Sequence, residues 1–211
     1  MRHWLKIKAV GSVSNRQGIG AKIEMTAGGI TQRQFVRTGV GFLAAHDTRV
    51  HFGLGSSTIA DLKVTWPSGQ VQHLHNVSAD QIFTVTEPSM KLAQNGRADK
   101  SHHLRLVSPN DVGQGFVILL ALSESPATLL PDGRSLPLLL DSLTAATLGP
   151  NPLVNGNVGI LPIGGAEATI LTPNDPNLAG LRLFATALLY SPLSQELGTI
   201  FPQAVTIDLL P

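Results

Sequence analysis

His73-Leu74-His75 has the spacing in this chain best suited to holding a metal ion. On an extended strand, residues two apart project from the same face about 6.5–7 Å from one another. Neutral imidazole is a common transition-metal ligand, and a metal so held can polarise a carbonyl or activate water for hydrolysis. His46, Asp47 and His51 lie nearby in the sequence and could complete the set, as could Asp61. The same residues have a plainer reading. His73 and His75 would then occupy the solvent face of a hairpin, with Leu74 turned the other way. His51 would sit at a strand end beside glycines that permit a bend, and Asp47 and Arg49, two apart, would form a local ion pair. His102-His103 are adjacent, so on a strand they point apart and do not share a ligand.

Other chemistries have thinner support. Asp132, Asp141, Glu167 and Asp175 could supply a carboxylate pair for cleaving polysaccharide. A metal-assisted or carboxylate-dependent hydrolase acting on polysaccharide or ester is therefore the rival to a binding role. Asn110-Asp111 and Asn174-Asp175 could present loop oxygens to calcium, which makes a calcium-dependent adhesion module a third reading; no EF-hand loop accompanies them. Gly18-Ile19-Gly20 lacks the third glycine and the following helix of a dinucleotide fingerprint, and no Gly-x-Ser-x-Gly elbow occurs. Trp4, Trp66 and Asp175 are candidates for ligand binding, the tryptophans as stacking platforms for sugars. Trp66 alternates with Leu62 and Val64, a pattern that favours the core, and Trp4 could pack under the hairpin. The sequence requires no cofactor; a divalent metal or calcium is what these candidates would take.

The elements that must position these residues follow from composition and periodicity. Of 211 residues, 43% are hydrophobic and only 14% charged, with 21 Gly, 14 Pro and no Cys. That charge fraction is well below the roughly 25% of ordinary domains and favours short strands joined by turns over long solvated helices. Absence of Cys excludes a disulfide framework, thiolate metal sites and a cysteine nucleophile. A net charge of +1, 5% aromatics and no basic stripe argue against nucleic acid as a partner. No run approaches the roughly 18 apolar residues of a membrane-spanning helix, and Met1-Arg2-His3-Trp4 leads into an alternating strand rather than the apolar core of a signal peptide.

Strands are expected over Trp4–Ala9, Ala21–Met25, Gln32–Val36, Leu62–Trp66, Gln70–Leu74 and Ile82–Val85, with turns at Gly28-Gly29 and Pro67-Ser68-Gly69. Further strands are expected over Phe116–Leu122, Leu136–Leu140, Ala166–Leu171, Leu181–Leu189 and Ala204–Leu209. Leu138–Leu148 competes as a helix that Asp141-Ser142-Leu143 could open. The charge balance shifts along the chain. Nine basic side chains face five acidic ones up to Met90, whereas three face eight from Ser101 onward. The polar stretch 89–100 between them reads as a linker. Opposite signs on the halves are compatible with one docking on the other and equally with a flexible tether. The fold class expected is all-β: two consecutive antiparallel β domains, a small β-rich module over 1–88 and an Ig-like β-sandwich over 101–211.

Taken in order, His3-Trp4-Leu5, Ser14-Asn15-Arg16-Gln17-Gly18-Ile19-Gly20-Ala21, His51-Phe52-Gly53-Leu54-Gly55, Trp66-Pro67-Ser68-Gly69 and Asn76-Val77-Ser78-Ala79-Asp80-Gln81 resemble the ASPIC/UnbV domain over residues 2–88. The resemblance implies a β-rich module that follows FG-GAP/VCBS propeller repeats in secreted proteins and has no agreed activity. It implies a non-catalytic binding or structural accessory region, secreted or extracellular, whose export signal lies upstream. Its partners would be the upstream propeller-type repeats and a glycan or protein ligand. The chain carries no FG-GAP repeats, so their calcium sites do not transfer. The second half loosely resembles uncharacterised C-terminal sandwich modules of exported bacterial proteins, on short motifs alone.

Overall fold

The computed structural model describes residues 1–39, 41–94, 101–171, 178, 180–193 and 197–209. The described residues are all-β apart from one short α-helix and a single 3-10 turn. The chain divides into two compact units, Met1–Pro88 and Ser89–Pro211.

The first unit contains β1 (His3–Val10), β2 (Lys22–Ala27), β3 (Ile30–Phe35), β4 (Val50–Gly55), β5 (Ile59–Thr65), β6 (Val71–Ser78) and β7 (Gln81–Thr86). One sheet has the order β4-β1-β7, and the second runs β6-β5-β2-β3. Strict alternation turns Leu5, Ile7, Val50, Phe52 and Leu54 of the first sheet inward, to join Ile23, Met25, Leu62, Val64 and Leu74 of the second in one core. Trp66 completes that core at 2% exposure, and its indole N–H donates to Gln72 Oε1 at 3.3 Å. Gly28 and Gly29 take φ of +55° and +77°, the paired positive φ that a two-residue hairpin requires. One expectation needs correcting: the first domain is not purely antiparallel. β1 pairs antiparallel with β4 but parallel with β7. Parallel neighbours need a long crossover, and here the chain from β1 to β7, which forms the rest of the module, supplies it.

The second unit contains β8 (Ser89–Gln94), β9 (Ser101–Val107), β10 (Gly115–Ala121), β11 (Thr128–Leu129), β12 (Ser135–Leu136), α1 (Ser142–Thr147), β13 (Val154–Asn155), β14 (Val158–Ile160), β15 (Ala166–Leu171), β16 (Arg182–Tyr190), β17 (Leu197–Ile200) and β18 (Val205–Asp208). One sheet runs β13-β15-β9-β8. In the other, β10 lies between β14 and β16, and β16 pairs successively with β18 and β17. Leu104, Leu106, Phe116, Ile118, Ala168, Ile170 and Ile207 belong to the core of this unit. β10 is buried along its whole length, because Val117, Leu119 and Ala121 on its far face are covered by Leu136 and Leu138.

Two further differences have local causes. Ser89–Gln94, the first half of the expected linker, is strand β8, paired antiparallel with β9; its Met90 is buried, so its backbone and one side chain are both accommodated. Residues 95–100 lie outside the described residues. The strand expected over Leu136–Leu140 shrinks to Ser135–Leu136, since Asp141 caps α1 directly afterwards: its carboxylate accepts the Thr144 N–H at 2.8 Å. His102-His103 follows Ser101 in β9, as adjacent strand residues, with His102 buried and His103 Nδ1 3.1 Å from Thr169 Oγ1.

Candidate functional site

β4 and β6 belong to different sheets of the first unit, and that separates the histidines proposed as metal ligands. Along β6, Leu74 is buried and His73 and His75 take the opposite, outward positions, as their spacing requires. Along β4, His51 is outward between buried Val50 and Phe52. Outward from each of two sheets that share a core means opposite outer faces. His75 Nδ1 lies 3.6 Å from Asp61 Oδ1, which also accepts the Asn76 N–H at 2.9 Å. His46 is exposed, and its backbone N–H donates to Thr38 at 2.6 Å. Asp47 is held by Arg49, with Nε 2.9 Å and Nη2 2.7 Å from its carboxylate. Those side-chain hydrogen bonds, with the Arg49 backbone N–H, hold its pKa down at about 2. Among the described residues, no three His, Cys, Asp or Glu side chains gather into a group that could hold a metal.

The candidate carboxylates are similarly dispersed. Asp132 pairs with Arg134, Nε to Oδ2 at 2.7 Å, and Asp141 caps α1 while accepting the Leu122 N–H at 2.7 Å. Glu167 points outward from β15. Asp175 lies outside the described residues. Trp66, buried in the core, has no ring face to offer a ligand.

Trp4 is different. It is 37% exposed on the outer face of the β4-β1-β7 sheet. Register places Gly53 of β4 directly opposite Trp4, and His51 opposite Lys6. On the other side, Ile82 of β7 lies opposite Lys6 and Thr84 opposite Lys8. The Trp4 and His51 rings are 6.0 Å apart with planes tilted by 56°. Gly53 and Gly55 leave two successive outward positions of β4 bare: a Cβ built on either meets no atom within 4 Å. The strand beneath is firmly held. Gln32 and Gln34 of β3 donate their side-chain amides to the carbonyls of Gly53 and His51, at 2.6 and 2.7 Å. Asp80 anchors the other flank, accepting the Trp4 N–H at 3.2 Å while His3 Nδ1 lies 2.6 Å from its carboxylate. The hydrogen bond from His3 is the main cause of a lowered Asp80 pKa. His51 is the second residue of β4, at the strand end its sequence suggested, but no bend lies beside it. Gly53 continues the strand, and of the two glycines only Gly55, its last residue, takes positive φ, +61°.

Glu87 is a residue that the sequence alone did not single out. It is 1% exposed. Its Oε2 accepts the backbone N–H groups of Ser12, Val13 and Ser14 at 2.9, 2.9 and 2.7 Å. Its Oε1 accepts the hydroxyls of Ser14 at 2.8 Å and Ser68 at 2.6 Å. Burial opposes ionisation here, but these donors outweigh it and the pKa is lowered. The carboxylate thus ties the Ser14–Ala21 turn to the Trp66-Pro67-Ser68-Gly69 turn. Both motifs are architectural at this point. No local pattern announces a Glu whose donors lie 19 and 73–75 residues away.

A family model described as ASPIC and UnbV matches residues 11–92. This segment is an ASPIC and UnbV domain. Trp4 precedes the matched stretch, whereas His51, Gly53, Asp80 and the Glu87 latch fall inside it. The curated proteins include no match. Solved structures with partial likeness include a proposed carbohydrate-binding protein from Bacteroides uniformis, at 8% identity and a TM-score of 0.34 over 98% of each chain. The major pilin subunit BcpA of Bacillus cereus matches at 9% identity and a TM-score of 0.33, covering 98% of this chain and 69% of its own. A DUF3823 family protein from Bacteroides ovatus matches at 11% identity and a TM-score of 0.26, covering 99% of this chain and all of its own. Scores this low carry no argument about either fold or function.

One open cleft of about 360 Å³ lies elsewhere in the ASPIC and UnbV domain, between Ile19, Phe35 and Arg37. The Arg37 guanidinium stands 5.5 Å from the Phe35 ring centroid, a cation–π contact that occupies both side chains.

Proposed function

We propose that this chain is a non-catalytic accessory binding region of a larger secreted protein, and that it contacts an extracellular glycan or protein over the outer face of the β4-β1-β7 sheet. One observation carries the reading: of the chain's two tryptophans, Trp66 completes the core at 2% exposure and Trp4 stays 37% open on the outer face of a sheet. A half-exposed indole beside bare backbone presents apolar area with a polar edge, the profile of a contact surface. Supporting it, the polar groups around Trp4 are positioned by hydrogen bonds from neighbouring strands, so the face is preorganised.

The parent protein would carry propeller-type repeats and an export signal ahead of this region, in keeping with the resemblance. Among the described residues no helix is long and apolar enough to cross a membrane.

Affinity electrophoresis of the intact chain through a panel of soluble neutral and acidic polysaccharides tests the reading. Retardation by at least one polymer, lost in Trp4→Ala with the melting temperature held within a few degrees, is the expected result. Retardation that Trp4→Ala leaves intact would place binding elsewhere. No retardation by any polymer would remove the glycan arm and leave a protein partner to be sought.

A further inference from the structure

We infer that Gly53 keeps open, beside Trp4, the footprint of one pyranose ring, and that Lys6, Lys8 and His51 select a ring carrying a carboxylate, so that the ligand is an acidic polysaccharide. The inference rests on the binding role proposed above and names the ligand class for that face.

Glycine inside a strand weakens it, so its presence there calls for a reason. Positive φ is not the reason at Gly53, which lies outside the left-handed region, and neither is crowding, because an added Cβ meets nothing within 4 Å. What glycine does at this position is leave space. Gly53 and Gly55 occupy consecutive outward positions of β4, and outward positions along a strand repeat about every 7 Å, while β1 runs about 5 Å away. The bare strip that results is about the size of a sugar ring, and register sets Trp4 of the adjacent strand opposite its Gly53 end. A pyranose laid there would direct the weakly positive C–H bonds of one face at the negatively charged face of the indole.

Charge sets the sugar type. Lys6 and Lys8 follow Trp4 on the same face of β1, and His51 stands across from Lys6 with a ring 6.0 Å from that of Trp4. The carboxylates in the neighbourhood are engaged: Asp80 with His3 and the Trp4 N–H, Asp47 with Arg49. Lys6 also helps to hold Asp47 ionised. The face thus carries a surplus of positive charge beside an aromatic ring, which complements a uronic-acid polymer and offers nothing extra to a neutral one.

Isothermal titration of the intact chain with polygalacturonate and with its fully methyl-esterified counterpart separates the two halves of the inference. Expected are binding to the acid polymer that weakens as salt rises, at least tenfold weaker binding to the ester, and at least tenfold loss for the acid polymer in Gly53→Val and in Trp4→Ala. Lys6→Gln/Lys8→Gln should cost several-fold for the acid polymer alone. Gly53→Val matters most, since a β-branched residue suits a strand and fills the strip, so its melting temperature should hold or rise. Equal binding of both polymers, with Lys6→Gln/Lys8→Gln harmless, would overturn the selection for acid and leave the contact face standing. Full binding by Gly53→Val would overturn the footprint. Binding of neither polymer would overturn the ligand class, and the wider polysaccharide panel then decides the fate of the face itself.

Discussion

Glu87 joins two turns of the ASPIC and UnbV domain that lie far apart in sequence. Its carboxylate accepts three backbone N–H groups and two hydroxyls while almost fully buried. Because its folded pKa lies below that of the unfolded chain, its contribution is fully present above about pH 4.3 and is lost as pH falls through the lowered folded value. Glu87→Gln should therefore lower stability by about 1–3 kcal/mol at pH 7. It should also flatten the fall in melting temperature between about pH 5 and pH 3 relative to the parent. Equal acid sensitivity in parent and variant would show that other carboxylates dominate. At Gly53 the expected sign is opposite. Removing a glycine from a strand interior should raise stability by about 0.5–1 kcal/mol, measurable in urea, even while ligand binding is lost.

Among the elements, β10 shows where a period-two pattern fails. Gly115–Ala121 is a continuous apolar run because both of its faces are covered, one by the unit's main core and the other by Leu136 and Leu138. Leu119→Ala on the far face should cost about 2–5 kcal/mol, as much as Ile118→Ala on the near face. A strand with one wet face would tolerate the first and not the second. Helix α1 opens on Asp141, which caps its N-terminus and also accepts the Leu122 N–H. Asp141→Ala should cost about 1 kcal/mol in a denaturant titration. That helix was legible in the sequence at Asp141-Ser142-Leu143, since capping is local chemistry. The short strands β14 and β17 were not legible, because three or four residues carry too little periodicity.

At the scale of the molecule, the described residues bury three apolar clusters and the chain has no Cys, so stability is expected to follow apolar packing. Calcium and EDTA are accordingly expected to leave the melting temperature unchanged. A calcium-dependent rise would favour the adhesion reading. Its ligands would then be sought around Asp175, which lies outside the described residues.

By itself the sequence determined inside and outside. Alternation placed Trp66 in the core, paired His73 and His75 outward from Leu74, and carried enough motif to identify the ASPIC and UnbV domain. Periodicity can do this because it is a property of neighbours along one strand. Only the tertiary structure decided which strands lie side by side, and that decided the chemistry. It set His51 and His73 on opposite faces of a sandwich, brought Ser12–Ser14 and Ser68 to Glu87, and placed Gly53 opposite Trp4 in register. Those contacts join residues dozens of positions apart through sheet order and register, which no local pattern encodes.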